Sequence, residues 1–287
     1  MKYFLIILSF SFSLMANDFK DFKIENVKTL VEGYKFTEGP AFTGKEILFT
    51  APREKEIVKW SITRKTKSVF YKEDVSISAL YIQDNQIYAT QGELKRVVKI
   101  DSQGKVSPLA EKYKGKPFNK PNDLWVSPKG IVYFTDPNYG RKPLSQDGEY
   151  SYFVKKDGSV LRIKATFARP NGIIGSKDGK KLFITDAGAS KTYVFDLDEN
   201  GIPGPQRLFT DIGGDGMTLD EKGNLYIAVP RQKSLVVINP QGKEIARIPE
   251  FGCTNVCFGG SDGKTLFITR SPGLMSIKMP IKGMFVP

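Results

Sequence analysis

The sequence predicts an all-β protein: a six-bladed β-propeller whose N- and C-terminal strands close one ring. Three observations predict it. A short pattern of turn, aliphatic, aromatic and then Thr or Ala occurs as KEILFTAP, NQIYATQG, KGIVYFTDP, KKLFITDA, GNLYIAVP and KTLFITRS. Its aromatic positions, Phe49, Tyr88, Tyr133, Phe183, Tyr226 and Phe267, recur every 39 to 50 residues. Between the copies lie alternating segments such as EIVKWSI, RVVKIDS, TYVFDLD and SLVVINP, which read as half-buried strands, and no stretch of helical period competes with them. Strands in sets of about four, at a period of about 40 to 50 residues, are the signature of propeller blades. The alternative, a β-sandwich, does not demand six-fold self-similarity.

Along the chain, the first element is different in kind. Lys2 precedes an apolar run from Tyr3 through Ala16, after which the polar NDFKDFK begins. The run is short of the roughly 20 apolar residues that span a bilayer. A charged start, a short apolar stretch and a small residue at its end read as a secretory signal peptide over residues 1–16. The other readings are an uncleaved anchor and a buried helix. Cleavage predicts an exported protein, periplasmic or secreted, with no membrane span left in residues 17–287. FKIENVKTLVEG then comes before the first repeat and GLMSIKM after the last. Pairing these two segments closes the ring and removes strand edges that an open blade would expose. One ring accounts for residues 17–287 without a linker or second domain.

Composition narrows the chemistry. The 287 residues are 40% hydrophobic and 12% aromatic, ample for a core. Lys and Arg outnumber Asp and Glu by 43 to 31, a net charge of +12. The excess is scattered in pairs such as Lys155-Lys156 and Lys180-Lys181 beside Asp-Gly turns, which predicts solvated loops and no nucleic-acid partner. The chain contains no histidine. This excludes Ser-His-Asp and Cys-His triads, His-ligated zinc and His proton relays. Cys253 and Cys257 are the only cysteines. On one extended strand their Cα atoms would stand roughly 13 Å apart, too far to bridge without a bend, so free thiols are expected.

Ten to twelve residues before each aromatic, at the start of the innermost strand of each blade, stand Glu38, Ser78, Asn122, Asn171, Asp215 and Asn255. All six carry a side-chain oxygen. Inner strands line the channel and run in the same direction, so these side chains converge on one end of the axis. Polar caps beside channel water would explain the serine and the asparagines. They explain Glu38 and Asp215 poorly, because like charges aimed at one axis repel unless a cation sits between them. A mixed carboxylate and amide set favours Ca²⁺ over Zn²⁺. Gly39, Gly172 and Gly216 follow three of the six and are expected to let the backbone turn tightly. Thr135-Asp136, Thr185-Asp186, Arg231 and Arg270 return to the same face. Asp136 and Asp186 either brace the site from behind or simply form turns. Strand alternation predicts that Asp123 points away from the axis, and Tyr139 either walls a pocket or covers a blade.

EGPAF, PNDLWVSPKGIVYFTDPNYG, RPNGI with KKLFITDAG, GDGMTLDEKGNLYIA and TNVCFGGSDGKTLFIT together resemble the gluconolactonase and senescence-marker-protein family of six-bladed propellers. The match runs from Glu38 to about Thr269. The resemblance implies a divalent metal, usually Ca²⁺ with Zn²⁺, Mg²⁺ or Mn²⁺ as substitutes, held by Glu38, Asn171 and Asp215. It places Asn122 near the metal or the substrate and makes Asp215 the general base. Some members carry arginine where this chain has Lys120, so Lys120 is the expected substrate contact in its place. The implied reaction is hydrolysis of a small sugar lactone or related cyclic ester. The rivals are phosphotriester cleavage and a non-enzymatic Ca²⁺-containing propeller that binds a ligand or partner.

Overall fold

The computed structural model describes residues 19–140 and 143–285, so the signal-peptide reading of residues 1–16 lies outside the described residues. Each of the six repeats forms a four-stranded antiparallel sheet. Five of them use strands in simple sequence order. The first blade comprises Glu38–Phe42, Glu46–Ala51, Glu56–Ser61 and Thr66–Lys72, and the second Leu80–Gln83, Gln86–Gln91, Arg96–Ile100 and Val106–Ala110. The third is Leu124–Val126, Val132–Asp136, Tyr150–Val154 and Val160–Arg162, and the fourth Pro170–Gly175, Lys181–Asp186, Lys191–Asp196 and Arg207–Thr210. The fifth is Met217–Leu219, Leu225–Val229, Ser234–Ile238 and Glu244–Ile248. The sixth takes Asn255–Gly259, Thr265–Arg270 and Gly273–Lys278 from the C-terminal side and Lys28–Val31 from the N-terminal side. Lys28 pairs with Ser276 and Val31 with Leu274, so the ring closes through the expected segments. A two-strand hairpin, Lys112–Tyr113 with Lys116–Pro117, stands apart from the blades. Among the described residues the helical segments are three short 3-10 turns, and no helix is long and apolar enough to cross a membrane.

The repeated aromatic packs the second strand of each blade against its neighbours. Phe49, Tyr133 and Tyr226 are fully buried. Burying one phenylalanine side chain stabilises by about 1.5–3 kcal/mol. The threonine that follows has a separate role. The Thr50 hydroxyl donates to the Ser78 carbonyl at 2.9 Å, Thr90 to Asn122 at 2.7 Å, Thr135 to Asn171 at 2.6 Å and Thr185 to Asp215 at 3.1 Å. Each hydroxyl therefore reaches from one blade to the carbonyl of the channel-mouth residue in the next. The fifth copy has Ala228 instead. There the Gly216 N–H donates to the Thr254 carbonyl, and the Thr254 hydroxyl donates to Thr37 at 2.7 Å, joining blade six to blade one. The mouth residues are thus fixed through their backbone as well as by their own strands.

The expectation of tight turns at three glycines holds only at Gly39, whose φ is +46°. Gly172 and Gly216 lie outside the left-handed region. They are small because neighbouring inner strands meet there: a Cβ would strike the Asp215 carbonyl at Gly172 and the Asn255 side chain at Gly216. The other end of the channel is covered by the C-terminal segment. Glu221 donates to Lys282, Met284 donates to Leu219, and Phe285 sets its ring edge-on to Tyr81 at 6.4 Å. Above Phe285 a narrow cavity of about 100 Å³ remains, lined largely by apolar strand residues with Asp123 and Asn255 among them. Cys253 and Cys257 are free thiols, as the spacing predicts.

Candidate active site

A cleft of about 540 Å³ opens at the end of the axis away from Phe285. Glu38, Ser78, Asn122, Asn171 and Asp215 line it together with Lys120, Tyr139, Arg53, Lys55 and Glu93. Five of the six predicted mouth positions therefore face one space. Asn255 sits below it, against the narrow channel. Glu38 and Asn171 are buried and Asp215 half-buried.

The three ring asparagines are not equivalent. Asn255 uses its Oδ1 to accept the Val256 N–H at 2.8 Å, and its side chain hydrogen-bonds to Glu38 and Asp123. With that oxygen occupied, it presents its NH₂ to the carboxylates. Asn171 differs in its oxygen. Its Nδ2 donates to the Tyr139 hydroxyl at 2.7 Å and its side chain also hydrogen-bonds the Asp215 carboxylate, while its buried Oδ1 has no hydrogen-bond partner. Asn122 is half-exposed, with its backbone N–H donating to Thr135. The ring of six oxygens expected from spacing is corrected to this extent: Asn255 contributes a donor.

Asp123 also departs from expectation. Alternation predicts that it points outward, but the strand begins only at Leu124, so period 2 does not yet apply. Its carboxylate accepts the Leu124 N–H at 2.8 Å and lies within the field of Glu38 and Asp215. Burial is the main force on all three acids. It pushes Asp123 up to about 7, and it raises Asp215, with the Asp123 charge adding to the effect. Glu38 rises well above the usual carboxylate range through burial, then Asp215 and Asp123, against hydrogen bonds from Gly39 and Asn255. No lysine or arginine acts on any of the three strongly enough to offset this.

These observations test whether the residues fit a cation. A buried amide oxygen without a partner, next to two carboxylates whose charges repel, is a donor set short of a positive charge. Among the described residues no three His, Cys, Asp or Glu side chains form a ready-made ion group. The available ligands are two carboxylates and an amide oxygen, with Asn122 and open cleft beside them. That mixed oxygen set suits a hard ion such as Ca²⁺, which commonly completes its shell with water.

Asp136 and Asp186 hold the loops that carry the ring asparagines. Asp136 accepts the N–H groups of Asn119 and Lys120 at 2.8 and 2.7 Å. Asp186 accepts those of Ala168 and Arg169 at 2.7 and 2.8 Å and of Gly188 and Ala189 at 3.0 Å. Both are buried. In adjacent blades, then, the aspartate of the Thr-Asp pair clamps the residues just before Asn122 and Asn171, and neither carboxyl lines the cleft. Lys120 does line it, its stem resting over Gly92, where a Cβ would meet Lys120 Cγ at 2.8 Å. A second pocket of about 200 Å³ shares Tyr139, Asn171 and Asp215 with the first and has Arg231 at its edge. Arg270 instead stacks over Phe251 at 4.9 Å.

Spacing alone misses the orientation of each asparagine and the role of the repeated threonine. The threonines were visible as a repeat; the blade they bond to was not.

Comparison with known proteins agrees with the fold. The pattern described as the SMP-30/gluconolactonase/LRE-like region matches residues 36–271. A gluconolactonase of Zymomonas mobilis is 29% identical, the alignment covering 88% of this chain and 81% of that protein. The solved structure of a gluconolactonase from Xanthomonas campestris superposes with a TM-score of 0.80 at 24% identity, covering 88% of this chain and 89% of the other. A calcium-binding regucalcin of Agrobacterium tumefaciens superposes with a TM-score of 0.78 at 22% identity, covering 92% and 97%.

Proposed function

The chain belongs to the SMP-30/gluconolactonase/LRE-like family, and from that premise and the cleft we propose that it is a divalent-cation-dependent hydrolase of a sugar lactone. The observation that carries the reading is the buried, unpartnered Oδ1 of Asn171, in a cleft that Glu38 and Asp215 also line. Glu38, Asn171 and Asp215 would hold the ion, with Asn122 at its open side. When bound, such an ion polarises a carbonyl oxygen and makes water more acidic.

The protein's own residues account for the remaining steps. Lys120 and Asn122, on the cleft wall, orient the lactone's hydroxyl and carbonyl groups by hydrogen bonds. Asp215 takes the proton of the water that attacks the carbonyl carbon. The ring C–O bond then breaks, and the proton passes to the departing ring oxygen to give an open-chain hydroxy acid. A carboxylate beside a cation is ordinarily a poor base. In the metal-free protein, burial and then the Asp123 charge act on Asp215 in the opposite direction.

The test is hydrolysis of δ-gluconolactone and a small lactone panel, before and after chelation, with Ca²⁺ then restored. Turnover that survives in protein shown metal-free by elemental analysis would remove the mechanism. A paraoxon-type substrate run in parallel separates phosphotriester cleavage, and a Ca²⁺-binding protein without turnover on any substrate would be a binding module. Export belongs to the same proposal and rests on Lys2 and the apolar run ending at Ala16. Intact mass of the native protein should start near Asn17, and retention of residues 1–16 would contradict it.

A further inference from the structure

In four blades the second and third strands are joined by turns of one shape, residues 52–55, 92–95, 187–190 and 230–233. Each ends in the left-handed region, with φ of +58° at Lys55, +57° at Lys95, +57° at Ser190 and +45° at Lys233. The second place of these turns holds Arg53, Glu93, Gly188 and Arg231, and the three charged residues all reach the mouth. Arg53 and Glu93 line the main cleft; Arg231 lines the side pocket of about 200 Å³, which Glu93 does not. Glu38 begins the inner strand of the same blade as Arg53, and Asp215 stands just ahead of the inner strand of Arg231's blade. An arginine turn thus accompanies each carboxylate of the candidate ion site.

Both arginines are exposed and, among the described residues, neither pairs with a carboxylate. The cations around them are engaged. Lys55 pairs with Asp74 and lies in the field of Glu93, Arg247 pairs with Glu244 at 2.7 Å, and Arg270 stacks over Phe251. In the side pocket Arg231 and Asp215 are the charged groups, against walls that include Ala187, Gly213, Gly214, Val229 and Pro230. A guanidinium beside such low-polarity walls holds an anion more firmly than one in open water does. The pocket meets the main cleft at Tyr139, Asn171 and Asp215, so a substrate over the ion site has a direct way into it. We infer that the substrate is an acidic lactone, whose carboxylate or phosphate enters the side pocket and is bound by Arg231, while Arg53 adds to the attraction from blade one. The inference rests on the cation-dependent lactonase reading, because the Asp215 charge repels an anion there unless a cation offsets it.

Three lactones test it: neutral δ-gluconolactone, a glucarolactone with a carboxylate at the far carbon, and 6-phosphogluconolactone with a phosphate there. Hydrolysis by the Ca²⁺-loaded, full-length protein is followed by acid release, and kcat/KM on each acidic lactone is divided by that on the neutral one. Because the ratio is taken on one preparation, any loss of folded protein cancels. Wild type should favour one acidic lactone by about tenfold or more, and the preferred one names the anion. Arg231→Gln should lower that ratio about 10- to 100-fold, mainly through KM, the worth of a hydrogen bond to a charged group. Arg231→Lys keeps the charge, loses the planar fork and should fall between. Arg53→Gln should lower the ratio less, by an amount that shrinks as salt rises. Lys243→Gln removes the same charge from an exposed turn at the far end of blade five and should leave the ratio within about twofold of wild type. Wild type that hydrolyses δ-gluconolactone and prefers neither acidic lactone overturns the inference and leaves the lactonase reading standing. An Arg231→Gln ratio within about twofold of wild type, or an equal fall in Lys243→Gln, overturns it as well. If no lactone is hydrolysed, both fail together.

Discussion

Asn171 and Asn255 occupy corresponding places in different blades and both hydrogen-bond to site carboxylates, yet the amide oxygen is unpartnered in one and bonded in the other. The Asn255 oxygen accepts the Val256 N–H at 2.8 Å, and no such donor meets the Asn171 oxygen. Residue type therefore does not settle role at this ring, and the same caution applies to its two carboxylates. Glu38 and Asp215 are separated by paired substitutions. Glu38→Gln and Asp215→Asn each remove one negative charge and keep an oxygen, so both should weaken cation affinity. If Glu38 only ligates, excess Ca²⁺ should recover much of the rate in Glu38→Gln. An amide at position 215 cannot accept the proton, so loading should not rescue Asp215→Asn. The residual loss should be about 10²- to 10⁴-fold, the range for a positioned general base. Rates must be compared at measured full occupancy, since a ligand defect otherwise imitates a base defect. A loaded Asp215→Asn running near the wild-type rate would move the base elsewhere, and Asp123, whose charge acts on Asp215, becomes the residue to test.

At the scale of the element, the Thr-Asp pair at the end of a second strand organises both the blade and the loop before the next inner strand. Thr185 accepts the Gly172 N–H at 2.7 Å and donates to the Asp215 carbonyl, so Thr185→Val leaves a buried donor and a buried acceptor without that partner. The expected cost is about 1–3 kcal/mol for such a group, read by denaturant unfolding. A change below about 0.5 kcal/mol would mean that the hydroxyl does not join the blades. Asp136 gives a pH signature. Burial raises it from 3.8 to about 7, ahead of the opposing N–H bonds from Asn119 and Lys120. The folded state therefore holds this proton more tightly than the unfolded chain does. The stability linked to it is fully present below about pH 4 and is lost as pH rises through 7. In metal-free protein, Asp136→Asn should flatten the fall in melting temperature between pH 4 and 7, whatever it does to the absolute value. An unchanged slope would show that Asp136 is ionised throughout.

At the scale of the molecule, much of the fold was legible because its signal is periodic. Phe49, Tyr88, Tyr133, Phe183, Tyr226 and Phe267 mark one equivalent strand per blade, and the polar residue ahead of each marks a mouth position. What was not legible depends on contacts between repeats: the amide orientations, the inward turn of Asp123 before its strand begins, and Thr254 bonding to Thr37 across 217 residues of chain. The ring has one closure, made by Lys28–Val31 against Gly273–Lys278, with Val31 buried beside Leu274. Glu38 belongs to blade one and Asn171 and Asp215 to the region of blades four and five, so a cation held by all three requires the closed ring. Two linked outcomes are expected. Ca²⁺ at a hundredfold excess over Kd should stabilise the intact protein by about 2.7 kcal/mol, seen as a higher melting temperature. A chain beginning at Tyr34 should lose the single cooperative transition, expose the Gly273–Lys278 edge and associate as its concentration rises. Adding a peptide of residues 17–33 in trans should restore both the transition and the Ca²⁺ shift. If the shortened chain melts cooperatively and keeps its full Ca²⁺ shift without the peptide, the remaining blades hold the mouth residues in place by themselves, and closure contributes nothing to the site.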